Sequence, residues 1–227
     1  MKSAARDKSR SLLPTGSYAR VGEGLEFERV TFFSDAVFAI AMTLLVVGLT
    51  VPELTQGQDL PREMLQALRD RQPEILSFFI GFAVLGFYWN GHHRFFSTLR
   101  AVSRSLIRVN LVYLALVAFL PFPTALIGRY EDNPVSFVLF ALCVAAISGL
   151  EVVLFRVASR QELTKATLSP SLLRYAALAQ TLPVAFFLLS IPIAFWSTSA
   201  ALYSWLLLIP LSMMVGRVAP KGAEEEL

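Results

Sequence analysis

The sequence predicts an all-α integral membrane protein with six transmembrane helices per subunit, and three observations carry that prediction. Hydrophobic residues fill 55% of the 227 positions and charged residues only 16%, against roughly 25% charged in soluble domains. The apolar residues fall in long runs, each near the ~20 residues that cross a bilayer as a helix. Most lysines and arginines cluster in alternate gaps between those runs, on one side of the membrane the runs would define. Mean hydropathy is +0.58. Inside lipid every backbone polar group must bond within its own segment, so apolar runs of this length are helices.

The elements follow in order. Residues 1–28 carry Lys2, Arg6, Lys8 and Arg10 with Gly16, Gly22 and Gly24. They read as a flexible basic tail without the apolar core of a cleaved signal peptide. The membrane domain covers 29–217, with spans at about 30–51, 74–96, 106–128, 135–155, 172–196 and 200–215. Pro52 ends the first span. Between the first and second, Pro61 can start a short helix whose Met64, Leu65 and Leu68 share a face, lying outside the bilayer or at its interface. Pro183 and Pro192 predict a kink in the fifth span, and Ser197-Thr198-Ser199 joins it to the sixth as a tight hairpin. Residues 218–227 end in Glu224-Glu225-Glu226 and read as a disordered tail.

Charge sets the orientation. Of the 20 lysines and arginines, all but Arg62, Arg69, Arg71 and Arg129 fall on the side that holds both termini, which predicts cytoplasmic termini. A nucleic-acid patch is a poor account of these charges, because the spans interrupt them. Cys143, the single cysteine, lies in an apolar run. It reads as a small buried or lipid-facing residue, with no disulfide and no cysteine metal cluster.

Ionisable groups within a span are expensive and point to function. Asp35 and Glu151 qualify, both about 8–9 Å in from the basic ends of their helices at 1.5 Å per residue. The second span ends Trp89-Asn90-Gly91-His92-His93-Arg94, where Trp89, His92 and His93 are three and four apart and share a face, and the third begins Arg108-Val109-Asn110. Four helices therefore bring polar groups to one depth. The expected result is a hydrogen-bonded layer in which Trp89, His92, His93 and Asn110 donate to an ionised Asp35. The alternative is that each acid snorkels to the headgroups. A metal site is a third option and a poor one, since adjacent histidines point about 100° apart on a helix.

Beyond Asp35, residues Ile40, Thr43, Leu44 and Val47 form one stripe at i, i+3, i+4 and i+7. Asp35 lies about 140° around the helix from Ile40, which suits a packing anchor rather than a charge in a channel. The stripe alone is ambiguous. It fits ordinary lipid or helix contact. If several copies met on an axis, it would instead make rings of Ile40 and Leu44 that gate by dewetting, beside a ring of Thr43 hydroxyls. The chain lacks a Thr-Val-Gly-Tyr-Gly loop, so any potassium filter must differ from the carbonyl type.

These residues resemble the transmembrane protein 175 family of endosomal and lysosomal potassium channels and their prokaryotic relatives. The family signature is Arg, three residues, then Phe-Ser-Asp, and this chain has Arg29, Val30-Thr31-Phe32, then Phe33-Ser34-Asp35. The stretch Ala36 to Leu45 is similar, as are Trp89 to Phe96 and Asn110 through Pro121-Phe122-Pro123-Thr124. The resemblance covers the first three spans well. The last three agree in number and placement.

The resemblance implies a potassium-permeant cation channel of a prokaryotic plasma membrane, with the first helix of each subunit lining the pore. It matches Ile40, Leu44 and Val47 to the apolar constriction, with Val47 a wider outer ring, and Thr43 to a hydroxyl position beside them. It matches Arg29, Phe33, Ser34, Asp35, Trp89, Asn90, His92, His93 and Asn110 to the packing network around the signature. One signature is present and no second copy, which implies a homotetramer of six-helix subunits in the lipid bilayer. It also implies no cofactor, no metal beyond permeant potassium, and no nucleic-acid partner. Two rivals stand beside it. A proton-coupled or other secondary cation transporter could use Asp35, Glu151 and the histidines as a relay, although paired broken helices are missing. An intramembrane enzyme would need a motif such as His-Glu-x-x-His or Gly-x-Ser-x-Gly, and neither occurs.

Overall fold

Length and apolarity set the frame. The computed structural model describes residues 15–53, 59–165 and 170–207, with 211 and 214. Among the described residues, four helical stretches are long and apolar enough to cross a membrane: Glu26–Gly48, Gln72–Ser97, Arg104–Arg129 and Pro134–Arg160. They coincide with the first four expected spans. Helix α1 (Thr15–Leu44) runs on through a 3-10 turn, Leu45–Gly48. It starts well before Val30, within the segment read as a tail, because helix propagates at little cost once a membrane-held segment has nucleated it. Helix α2 (Leu60–Asp70) is the expected short amphipathic element, with Leu60, Met64, Leu65 and Leu68 exposed. Helix α3 is Gln72–Ser97.

The third stretch is two helices, α4 (Arg104–Phe119) and α5 (Pro121–Arg129), interrupted at Leu120. Pro121 and Pro123 each remove a backbone donor and cannot continue an unbroken ladder. Local partners take up the slack. Leu120 N donates to Leu116 O at 3.0 Å and Val117 O at 3.3 Å, and the Thr124 hydroxyl returns to Leu120 O at 2.8 Å. Such re-satisfaction lets prolines stand at membrane depth. Helix α6 is Pro134–Arg160 and α7 is Pro170–Ala194, the latter continuing past Pro183 and Pro192. Thr181–Ala194 is the apolar part of α7 whose side chains the structure describes. A short α8 (Thr198–Ser204) and the 3-10 turn Trp205–Leu207 follow. The later part of the sixth expected span and the tail 218–227 fall outside the described residues.

Helix α1 packs on α3 and α4, α4 on α6, α6 on α7, and α5 on α3. Phe38, Leu85, Leu106, Tyr113, Val117, Phe140 and Ile147 are buried between them. Without a hydrophobic drive between helices in lipid, close packing holds them, and small residues permit it. A Cβ at Gly81 would meet Thr124 Cγ2 at 2.6 Å, and one at Gly128 would meet the Glu74 Cα at 2.9 Å. Glu74 offers backbone there and cannot swing aside. Gly128→Ala is therefore expected to force α3 and α5 apart, costing about 1–3 kcal/mol. A lowered melting temperature in detergent would register it, and an unchanged one would contradict the packing.

At the basic end the two inter-helix loops are clasped together. Arg100 N donates to Leu163 O at 2.9 Å and Lys165 N to Thr98 O at 2.8 Å. Glu162 turns the chain at a left-handed φ of 53°, and the Arg100 guanidinium donates to its carbonyl at 2.7 and 3.1 Å. This fixes the end of α3 and the start of α4 against the end of α6.

Candidate functional site

Helix α1 is divided by face. Ser34, Phe38, Ala41 and Leu45 are buried, at the i, i+4, i+7 spacing of one side. The other side is bare in the subunit: Ile40 is 58% exposed, Leu44 45% and Val47 72%. Thr43 shares that exposed face and donates its hydroxyl to Ile40 O at 2.8 Å. Val47 stands in the 3-10 turn, where tighter winding advances each side chain by about 120° rather than 100°. Its neighbour Val46 is exposed as well.

The polar layer exists, and it is wired differently from expectation. Ser34 and Asp35 are adjacent and so point about 100° apart. They serve two separate chains of hydrogen bonds. The buried chain joins His92 Nε2 to Asn110 Oδ1 at 2.9 Å, Asn110 Nδ2 to Ser34 Oγ at 2.9 Å, and the Ser34 hydroxyl to Val30 O at 2.9 Å. An amide oxygen only accepts, so Nε2 carries the histidine proton. The outer chain is shorter. Trp89 Nε1 donates to Asp35 Oδ1 at 2.9 Å, and the Trp89 ring stacks on His93 at 5.5 Å. Asp35 thus takes one of its expected donors, Trp89. His92 and Asn110 are committed to Ser34, because α4 presents the Asn110 amide to the buried face of α1. Likewise Trp89, His92 and His93 do not act on one face: His92 is buried while Trp89 and His93 are exposed. Arg29, Phe33 and Asn90 are exposed. Among the described residues, neither Arg29 nor Asn90 hydrogen-bonds into either chain.

Glu151 does not snorkel. The Tyr113 hydroxyl donates to its Oε1 at 3.1 Å, and a Cβ on Gly91 would lie 3.7 Å from the same oxygen. The carboxyl therefore turns into the bundle between α3 and α4. Sequence reasoning missed Tyr113 and Phe38. Tyr113 stacks on His92 at 5.3 Å, His92 stacks on Phe96 at 4.3 Å, and Phe38 packs against both His92 and Tyr113, at 5.6 and 6.1 Å. The available signal was spacing, since Tyr113 follows Asn110 by three and Phe38 follows Ser34 by four, each on its partner's face.

A family model described as endosomal/lysosomal potassium channel TMEM175 matches residues 29–121, from the signature to the break between α4 and α5. A potassium channel of Streptomyces collinus is 40% identical over 110 residues, 48% of this chain and 52% of that protein. The crystal structure of a lysosomal potassium-selective channel TMEM175 homolog from Chamaesiphon minutus superposes with a TM-score of 0.69 at 27% identity, covering 83% of this chain and 97% of that one. Over residues 29–121 the chain is similar to the TMEM175 family. The human endosomal/lysosomal proton channel TMEM175 is 28% identical over 134 residues, 59% of this chain and 26% of that protein. The chain spans about half the length of the bacterial curated relatives it matches. The TMEM175 match includes Ser34, Asp35, Trp89, His92, Asn110 and Tyr113, and stops short of Glu151.

Proposed function

We propose that this chain is one subunit of a potassium-permeant cation channel, built from four six-helix copies around an axis lined by α1. Ile40, Leu44 and Val47 form successive apolar rings, with the Thr43 hydroxyls between them. The rings pass an ion by controlling whether the pore is wet, in place of a filter of backbone carbonyls. Ser34, Asp35, Trp89, His92 and Asn110 hold the helix from behind, Arg29, Phe33, Asn90 and His93 flank them at the same end, and none of these residues takes part in coordinating the ion. Permeant potassium is the cargo. Both termini face the cytoplasm of a prokaryotic cell, and the surrounding medium is its plasma membrane.

The observation that supports this reading best is the bare face of α1. A helix anchored on one side by buried polar bonds leaves a continuous apolar stripe uncovered on the other, on the segment where the family signature lies. The names of the Streptomyces and Chamaesiphon relatives point to the same activity. The test is a flux assay on protein reconstituted in liposomes, with the subunits counted by cross-linking. Potassium efflux that exceeds sodium efflux from a four-copy assembly is expected, and tight vesicles holding intact protein would overturn the proposal. Proton permeation is a second reading, favoured by the names of the human and other vertebrate relatives. A pH-sensitive dye in the same vesicles reads it directly. Slow, saturable flux would point instead to a transporter.

A further inference from the structure

Two tyrosines are pinned by their hydroxyls to α6. Tyr88 of α3 shares a hydrogen bond with Ser148 Oγ at 2.6 Å, while Tyr113 of α4 donates to Glu151, one turn further along, at 3.1 Å. A buried phenol needs an acceptor, and Tyr88 finds neutral partners in the Ser148 hydroxyl and the Val144 carbonyl. At Tyr113 the acceptor is a carboxyl inside a span, the expensive choice. What separates the two is what rests on them. Phe38, 0% exposed, packs against the Tyr113 ring and against His92, which is stacked on it. Phe38 is two residues from Ile40 and stands one turn beyond Ser34. Helix α6 therefore reaches α1 through the hydroxyl and ring of Tyr113.

We propose that Glu151 is a positioning residue for the pore wall: by fixing the Tyr113 hydroxyl it holds the aromatic seat of Phe38, and so sets how far Ile40 projects toward the axis. This rests on the channel reading above. Asn110 holds α1 at Ser34, and the Glu151–Tyr113 pair holds it one turn later, so that two supports fix both the depth and the rotation of the helix. The contact that matters is the hydrogen bond, which an amide oxygen can accept as well as a carboxylate.

Four variants test it in reconstituted protein: E151Q, E151L, Y113F and the E151L/Y113F double. The potassium-to-sodium permeability ratio is read from the reversal potential, which a mere loss of protein does not move. E151Q should match the parent. E151L and Y113F should each lower the ratio about two- to tenfold, one hydrogen bond's worth, and the double should fall no further than either single. If E151L fails to assemble, Y113F still removes the bond by deleting one oxygen. Parent-like selectivity in Y113F, or a fall in E151Q equal to that in E151L, would overturn the proposal. A spin label at Val46→Cys separates this failure from that of the channel reading. If the parent does not conduct, the label still reports whether E151L and Y113F, but not E151Q, alter the distances between copies of α1. Distances unchanged in all three would refute the positioning role.

Discussion

Asn110→Leu is expected to cost about 1–3 kcal/mol of stability. The chain His92 to Asn110 to Ser34 to Val30 runs in one direction, each group donating to the next. Asn110 is its pivot, since its side chain supplies an acceptor to α3 and a donor to α1 at once. Leucine fills a similar volume and supplies neither. The His92 ring proton is then left without its partner in a dry site between Phe96 and Tyr113. Ser34 keeps its bond to Val30 O and loses only the incoming donor, so most of the cost falls on His92. Asn110→Asp separates the two contributions. It can still accept from His92 but cannot donate to Ser34, and should fall between the parent and Asn110→Leu. Thermal melting of the assembly by fluorescence-detected gel filtration ranks the three. An Asn110→Leu protein that melts with the parent would mean that the layer contributes nothing to stability.

The depth of that layer was legible in the sequence, and its wiring was not. Ser34, Asp35, Trp89, His92, Asn110 and Glu151 all interrupt apolar runs near the basic end, which places them at one level without any structure. Which of two adjacent residues meets Asn110 depends on how α1 is rotated against α4, and spacing within one helix says nothing about that rotation. The same limit applies to Glu151. Its depth allowed either snorkelling or inward burial, and the choice was made by Tyr113, a residue of another helix. The break at Leu120 was within reach, because Pro121 and Pro123 announce it. The early start of α1 was not, because a glycine-bearing polar segment gives little sign of helix until an adjoining span extends into it.

Ile40→Ala should raise potassium flux about tenfold or more and weaken discrimination against sodium. The argument begins from what Ile40 does not touch. It is 58% exposed in the subunit and lies opposite the buried face of Phe38 and Ala41, so truncating it opens no cavity in the core and should leave the subunit's stability nearly unchanged. In the four-copy channel proposed above, the same change would be made four times around one axis. On that reading each copy would withdraw apolar surface from the narrowest ring, worth about 0.8 kcal/mol per methylene, and the cost of wetting the pore would fall accordingly. A drop of about 1.4 kcal/mol in that barrier is already tenfold in rate. Ile40→Leu keeps the volume and should remain near the parent, while Val46→Ala, in the turn beyond, should change little. Liposome flux with a valinomycin endpoint distinguishes these outcomes. If Ile40 meets lipid, all three variants conduct alike, and the stripe on α1 is then an ordinary membrane-facing surface.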